Sequence, residues 1–338
     1  MIIAKVPLRI SFVGGGTDLP DFYRRTPGRV ISTTINKYVY VAVNRTPLIN
    51  KVSARYSISE TVSHPTNLQH TRIKSALLDL GILSNIEIAS FASLPAKTGF
   101  GSSSSFSVAL INALHVYLGK KVNKKELAEA ACRLEIELIK EPIGKQDQYA
   151  ATFGGFNIFQ FNSDGTVDIE PILLDYKKQA LFEDHMLVFF IGITRTASSV
   201  LTEQKSKIDI NFETYKKMAD SVFDFKENLI KGDINRMAEI LHQGWLHKKS
   251  LASNVSNDLI DNLYGAGLKA GAWGGKILGA GGGGCIMFLA PINKKSAVRE
   301  AVQKIAKKNQ LNEFCEIPVK FVQSGCDIIF NSDTNSID

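Results

Sequence analysis

The sequence predicts a two-domain protein of the mixed α/β or α+β class, on three observations. Its 338 residues suit about two domains of ordinary size. Strand-like and helix-like hydrophobic periods alternate in both halves, which argues against a helical bundle. The chain turns polar around residues 175–186, and Met186-Leu-Val-Phe-Phe-Ile191 then reads as a buried strand. The boundary is expected there, giving domains of 1–185 and 186–338.

The first strand is Ile10–Val13, which runs into Gly14-Gly15-Gly16, and residues 30–43 are rich in β-branched and aromatic residues. Asn85–Ala89 is a further short strand. Phe106, Ala109, Leu110, Ala113, Leu114 and Tyr117 recur at three and four residues, predicting a helix that Gly119 ends. Asn123, with Glu126 three residues on, caps the next helix, which runs to about Glu141 before Pro142. The second half offers helices at about 211–231, 233–251, 257–269 and 294–309, with strands at Cys285–Leu289 and Pro318–Val322. Asn331–Asp338 is polar and reads as a frayed end.

A hydrophobic content of 44% with 22% charged residues fits a globular chain, and 26 glycines and 10 prolines without a period exclude collagen-like or disordered classes. No apolar run reaches the roughly 18 residues of a membrane span, and the N-terminal residues do not read as a signal peptide. The net charge of +7 comes largely from scattered lysine doublets, among them Lys120-Lys121, Lys216-Lys217 and Lys248-Lys249. Such doublets read as solvated helix faces, so neither a nucleic-acid groove nor a membrane surface is expected, although the field attracts small anions. Cys132, Cys285, Cys315 and Cys326 form no CxxC pair and the histidines lack ligand spacing, which excludes a disulfide scaffold or zinc ribbon and leaves the cytoplasm as the expected compartment.

Three glycine-rich stretches carry the functional signal. In Leu94-Pro-Ala-Lys-Thr-Gly-Phe-Gly-Ser-Ser-Ser-Ser-Phe106, two glycines precede four serines at the start of an amphipathic helix. Free amides and the partial positive charge of a helix start make an anion cradle, with hydroxyls available to a metal. A flexible Gly/Ser loop is the plainer reading, but the position between strand and helix favours phosphate. The final Gly-Lys-Ser/Thr of a Walker A loop is missing. Gly279-Ala-Gly-Gly-Gly-Gly284 satisfies G-x-G-x-x-G, yet a strand follows instead of a helix, so the dinucleotide reading fails and close packing against a ligand or facing loop remains. In Pro7-Leu-Arg-Ile-Ser-Phe-Val-Gly-Gly-Gly-Thr-Asp18, Arg9 stands in an apolar strand, where it needs an ion-pair partner or an anion. Thr17 and Asp18 suit a polyol, and an Asx turn explains Asp18 equally well.

Two carboxylates are unusually placed. On the helix of residues 124–141, Glu135 neighbours Ala131, Cys132, Leu138 and Ile139 and points into the apolar face, whereas Glu137 is solvent-facing. An inward carboxylate requires a metal, here Mg²⁺ shared with a serine of 102–105, or a buried salt bridge, for which Arg9 is one partner. Asp147 follows Pro142 and Gly144 in what reads as a turn; alone it is a cap, and beside a phosphate cradle it is a base or orienter.

These motifs, in this order, resemble those of the GHMP kinases: Pro7-x-Arg9 to Asp18, Pro95-x3-Gly-Phe-Gly-Ser-Ser103, and Lys276-Ile-Leu-Gly-Ala-Gly-Gly-Gly-Gly-Cys285. The resemblance implies an S5-like N-terminal domain and a ferredoxin-like C-terminal domain, with ATP and acceptor in the cleft and an ADP-forming phosphoryl transfer. It implies that the loop of Lys97, Thr98, Gly99, Phe100, Gly101, Ser102, Ser103, Ser104 and Ser105 binds ATP, that Ser103 and Glu135 hold Mg²⁺, and that Asp147 is the catalytic aspartate supported by Arg9. Gly15, Gly16, Thr17, Asp18, Gly281, Gly282 and Gly283 fall to the acceptor. The stretch Gly14-Gly-Gly-Thr-Asp-Leu-Pro-Asp-Phe-Tyr23 departs from the galactokinase pattern and, with Gly192-Ile-Thr-Arg-Thr-Ala197, is similar to the D-glycero-D-manno-heptose 7-phosphate kinases. On that resemblance the acceptor is a small-molecule sugar phosphate, taken at its anomeric hydroxyl for nucleotide-activated heptose and surface polysaccharide; Arg195, in a turn directly after a buried strand, is then expected to grip its distal phosphate. A kinase for fucose or galactose, a catalytically silent binder on the same scaffold, and a homodimer remain compatible with the sequence.

Overall fold

The computed structural model describes residues 1–195 and 197–332. Its strands are β1 (Ile2–Val13), β2 (Gly28–Arg45), β3 (Val52–Arg55), β4 (Ser59–Val62), β5 (Ile86–Ala92), β6 (Asn157–Phe161), β7 (Val167–Pro171), β8 (Met186–Phe190), β9 (Gly274–Ile277), β10 (Cys285–Leu289), β11 (Cys315–Glu316), β12 (Phe321–Val322) and β13 (Asp327–Asn331). The α-helices are α1 (Pro20–Tyr23), α2 (Thr71–Asp79), α3 (Ser102–Tyr117), α4 (Lys124–Cys132), α5 (Gln146–Phe153), α6 (Tyr176–His185), α7 (Ala197–Ser206), α8 (Phe212–Lys231), α9 (Ile234–Leu251), α10 (Asp258–Lys269) and α11 (Lys295–Lys308).

Among the described residues, nine strands form one sheet in the order β13-β1-β2-β5-β3-β4, with β6 and β12 also pairing with β2 and β7 with β6. The second sheet is antiparallel, in the order β11-β8-β10-β9. A mixed α+β architecture in two parts is therefore observed, and the chain crosses to the second sheet at Met186. The expected span of 186–338 does not hold at its end. Strands β12 and β13 return to the first sheet, because β1 and β2 offer open ladder positions to Phe321–Val322 and Asp327–Asn331. The expected strand at Pro318–Val322 is accordingly only two residues long.

Period-two alternation along β1 decides what each face carries. Leu8, Ile10 and Phe12 enter a core shared by both sheets, where Phe12 stacks on Phe156 and Phe225 and contacts Phe182. Arg9 and Ser11, between them, face a cleft. Helix α3 packs through Val108, Leu110, Ile111 and Leu114 on the other end of the large sheet. No described helix is long and apolar enough to cross a membrane.

Candidate active site

The cleft between the two parts is a cavity of about 970 Å³ that draws its walls from β1, the loop before α3, the start of α5, helices α7 and α9, and the glycine stretch after β9. Its geometry begins at Arg9. The guanidinium grips Asp147 with both arms, Nε to Oδ1 and Nη2 to Oδ2, each at 2.7 Å, and Nη1 donates to the Gly99 carbonyl oxygen at 2.7 Å. The Arg9 amide donates to the Phe100 carbonyl oxygen at 3.0 Å, which ties the glycine loop to β1. A bulge in the β1–β2 ladder between Pro7 and Leu8 precedes it, a common device for re-aiming side chains beside a site.

The loop reaches α3 through Gly101, the N-cap, at φ +71°. A Cβ there would lie 3.2 Å from Arg9 Cγ and from Asp147 Oδ2, so glycine satisfies both the left-handed backbone and the close approach. Helix geometry then aims the free amides of the first turn, at Ser102, Ser103 and Ser104, toward the cavity those residues line. Thr98, Phe100 and Ser105 depart from the expected cradle in their side chains. Thr98 donates to the Pro95 carbonyl oxygen, Phe100 is core, and Ser105 donates to the Pro7 carbonyl oxygen. The stretch Gly279–Gly284 packs against this loop: a Cβ on Gly279 would lie 2.7 Å from Gly99 Cα, and one on Gly284 2.7 Å from the Thr98 carbonyl oxygen. Of the expected acceptor glycines, Gly281 and Gly283 line the cavity, whereas Gly282 lies against Asn254 and Arg195.

Asp18 is buried at the cavity wall and accepts from the Gln146 amide (3.1 Å), Gln146 Nε2 (3.2 Å) and the Gly16 amide (3.2 Å). Burial pushes its carboxyl up to about 6 against the hydrogen bond from Gln146, and the neighbouring Asp147 charge adds to the rise. Gly15 and Gly16 line the same wall. Thr17 does not: its hydroxyl is taken up by the Gly14 and Arg29 carbonyl oxygens, so it closes the turn. Asp147 itself sits in the first turn of α5, where a loop was expected; the Gly144–Lys145 stretch is the turn, and a Cβ on Gly144 would overlap Asp18.

Glu135 is inward, as its helical neighbours require, and Glu137 is exposed. The expected single helix changes to a π turn at Arg133–Leu138, a feature that gathers at functional sites. Glu135 is held in a buried salt bridge whose partner is Arg72 rather than Arg9: Arg72 Nε donates to Oε1 at 3.0 Å, and Gln148 Nε2 to Oε2 at 2.5 Å. Arg72 Nη2 also reaches Glu141 at 2.7 Å. Arg72, Glu141 and Ser103 line the cavity, with Glu135 directly behind the arginine. Burial and the Glu135 charge push the Glu141 carboxyl up while Arg72 opposes them.

Sequence reasoning missed Arg72, Gln146, Gln204 and Lys248. The doublet Lys248-Lys249 does not lie on one solvated face. Lys249 pairs with Asp261 at the surface, but Lys248 is buried against the cavity and donates to the Gly279 carbonyl oxygen. The signal was present, since Lys248 continues the buried stripe of Leu241, Trp245 and Leu251 at helical spacing. Lys276 is likewise buried and donates to the Ser11 and Phe12 carbonyl oxygens, joining β9 to β1. Arg195 is exposed at the rim, with Nη1 donating to the Asn254 carbonyl oxygen at 3.3 Å. Lys97 lines the opposite rim.

Comparison with known proteins gives the geometry its context. The model for the GHMP kinases N terminal domain matches residues 69–155, and that for the GHMP kinases C terminal matches residues 225–310. The chain is 28% identical over 319 residues to D-glycero-alpha-D-manno-heptose 7-phosphate kinase of Campylobacter jejuni subsp. jejuni serotype O:2, covering 90% of this chain and 93% of that one. It is 24% identical to L-fucokinase/L-fucose-1-P guanylyltransferase of Bacteroides fragilis, covering 92% of this chain but 36% of that one. A solved D-glycero-D-manno-heptose 1-phosphate kinase from Bacteroides thetaiotaomicron superposes with a TM-score of 0.80 at 24% identity, over 98% of this chain and 99% of that one. Lactococcus lactis galactokinase complexed with galactose superposes at 0.76 and 17% identity, over 96% and 94%. With the N-terminal and C-terminal family models both matching, the chain belongs to the GHMP kinase family and is an ATP-using phosphotransferase.

Proposed function

We propose that the chain transfers the γ-phosphoryl group of ATP to the anomeric hydroxyl of a sugar, with D-glycero-D-manno-heptose 7-phosphate as acceptor, giving the 1,7-bisphosphate and ADP. The observation that carries the reading is the Arg9–Asp147 pair, which stands between the amides of the α3 start and Asp18 in one cavity. The heptose acceptor is supported by the 28% identical relative and by the first-motif residues Gly14 to Tyr23.

In this mechanism Asp18 and the Gly15–Gly16 backbone hold the sugar hydroxyls, and Asp147 orients the reacting one and accepts its proton. Arg9 holds Asp147 in place through both arms of its guanidinium, and its positive charge faces the transferring group. The first-turn amides of α3 and the loop from Lys97 to Ser104 receive the phosphates. Attack in line with the leaving oxygen requires little covalent chemistry from the protein, so positioning and fixed charge supply most of the acceleration.

The residues present fit a magnesium ion chemically. Two carboxylates, Glu135 and Glu141, share the Arg72 guanidinium, and the buried Gln148 Oε1 has no hydrogen-bond partner among the described residues. Ser103 and Glu135 would hold the ion once Arg72 releases the carboxylate. Bound there, Mg²⁺ would supply charge neutralisation for the nucleotide phosphates.

A coupled ADP-release assay over heptose 7-phosphate, free heptose, fucose, galactose and mevalonate tests the reading. Heptose 7-phosphate is expected to give the highest kcat/KM. A preference for fucose, in line with the relatives named fucokinase, would replace it.

A further inference from the structure

The acceptor side of the cavity carries donors for which the chemistry above has no use. Lys248 on α9 is buried to 7% exposure, and among the described residues its ammonium has one acceptor, the Gly279 carbonyl oxygen. An ammonium has three N–H donors, so two remain toward the cavity that Lys248 lines. Gln204 on α7 is buried to 2% and lines the same cavity, and its buried Nε2 has no hydrogen-bond partner among the described residues. Arg195 also lines this cavity and lies against the glycine stretch that holds Lys248: a Cβ on Gly282 would sit 3.0 Å from Arg195 Cδ, while Gly279, three residues earlier, accepts from Lys248.

An unpaired buried amide and an under-paired buried ammonium both cost free energy, and a single ligand acceptor with several oxygens removes both costs. A neutral sugar hydroxyl would leave most of these donors unmet. A phosphate monoester has three terminal oxygens, matching an ammonium, an amide NH₂ and a guanidinium. We propose that Lys248, Gln204 and Arg195 form a subsite for a phosphate monoester carried by the acceptor, and that this subsite sets the preference for phosphorylated over free sugars. The inference rests on the sugar-1-kinase reading above and adds the residues that choose the acceptor.

The surrounding charge tolerates a dianion there. Arg9 already neutralises Asp147, which leaves the buried Lys248 charge available to an anion. Burial, followed by the Arg9 charge, draws the Lys248 ammonium down to about 8, and an arriving anion would favour its charged form further.

Two measurements test the subsite. In the first, kcat/KM for heptose 7-phosphate and for free heptose is compared in the wild type, Lys248→Met and Gln204→Leu. The loss for the phosphorylated acceptor is expected to exceed that for free heptose by about tenfold to a hundredfold in Lys248→Met, mainly through KM. Equal losses for the two acceptors would overturn the proposal. In the second, inorganic phosphate is titrated calorimetrically into protein saturated with a non-hydrolysable ATP analogue, which leaves only the acceptor end open. Its affinity is expected to fall about tenfold or more in each variant. Unchanged phosphate affinity overturns the proposal, and so does a matching loss of affinity for the ATP analogue, which would put Lys248 on the nucleotide instead. If phosphate binding behaves as expected but heptose 7-phosphate is not turned over, the subsite stands and the heptose reading falls.

Discussion

Arg9 and Asp147, 138 residues apart in sequence, meet as a two-armed ion pair at 2.7 Å on each arm, with the arginine nearly buried and the aspartate open to the cleft. The asymmetry sets the roles: the buried partner is fixed by β1 and by the Gly99 carbonyl oxygen, and the exposed one is presented to a ligand. Asp147→Asn keeps the shape and removes the proton acceptor, so kcat is expected to fall by about a thousandfold while nucleotide affinity stays near the wild-type value. Steady-state kinetics with an equilibrium nucleotide titration checks this; near-normal turnover would take Asp147 out of the chemistry.

Gly101 joins the phosphate loop to this pair. Its φ of +71° costs an L-residue about 1–2 kcal/mol, and an added Cβ would press on both Arg9 and Asp147. Gly101→Ala is therefore expected to lower unfolding free energy by about 1–3 kcal/mol and to reduce kcat as well, because the contact falls on the reacting pair. Urea unfolding and kinetics on the same preparation separate the two effects. A variant with lost stability but full kcat would show that the pair adapts.

Much of this was legible in the sequence, and for identifiable reasons. Hydrophobic period placed α8 to α11 within a residue or two and set Glu135 inward and Glu137 outward, because burial follows helix geometry directly. What escaped was the pairing of remote segments. Glu135 needed a partner, but only the packing of α2 against the π turn makes it Arg72, and nothing local to Arg72 announces that contact. The same holds for β12 and β13, whose short polar-flanked runs become strands only because β1 and β2 have open edges to fill. Lys248 is a different case: it continues a buried stripe at helical spacing, but the adjacent Lys249 gives the pair the look of a solvated charge run.

Asp18 gives the site a dependence on pH whose sign is fixed. Its folded carboxyl titrates at about 6 against an ordinary 3.8, so between those values the folded protein holds more protons than the unfolded chain. Stability from this group therefore falls as pH rises from about 4 to 6, and the loss is complete above 6. Asp18→Asn removes the slope. It is expected to be more stable than the wild type by up to about 3 kcal/mol at pH 7–8, with the advantage gone at pH 4. The same variant should raise the acceptor KM, since an amide cannot replace the carboxylate toward two hydroxyls. Paired urea titrations at pH 4 and 7.5 decide the point; a constant difference between the two would mean that Asp18 is not the titrating group.

Arg72 is the residue on which the metal reading turns. It neutralises the fully buried Glu135 and at the same time reaches Glu141, so its removal leaves a buried carboxylate with the Gln148 amide but no cation. Arg72→Met is expected to cost about 3–5 kcal/mol, and Glu135→Gln in the same chain to return most of it, a coupling that a double-mutant cycle measures. Millimolar Mg²⁺ or Mn²⁺ should stabilise Arg72→Met more than the wild type, because the carboxylate is then free to ligate, and should do nothing for Arg72→Met/Glu135→Gln. Equal metal effects in all three proteins would leave Glu135 a structural anion and move the metal to other oxygens of the cleft.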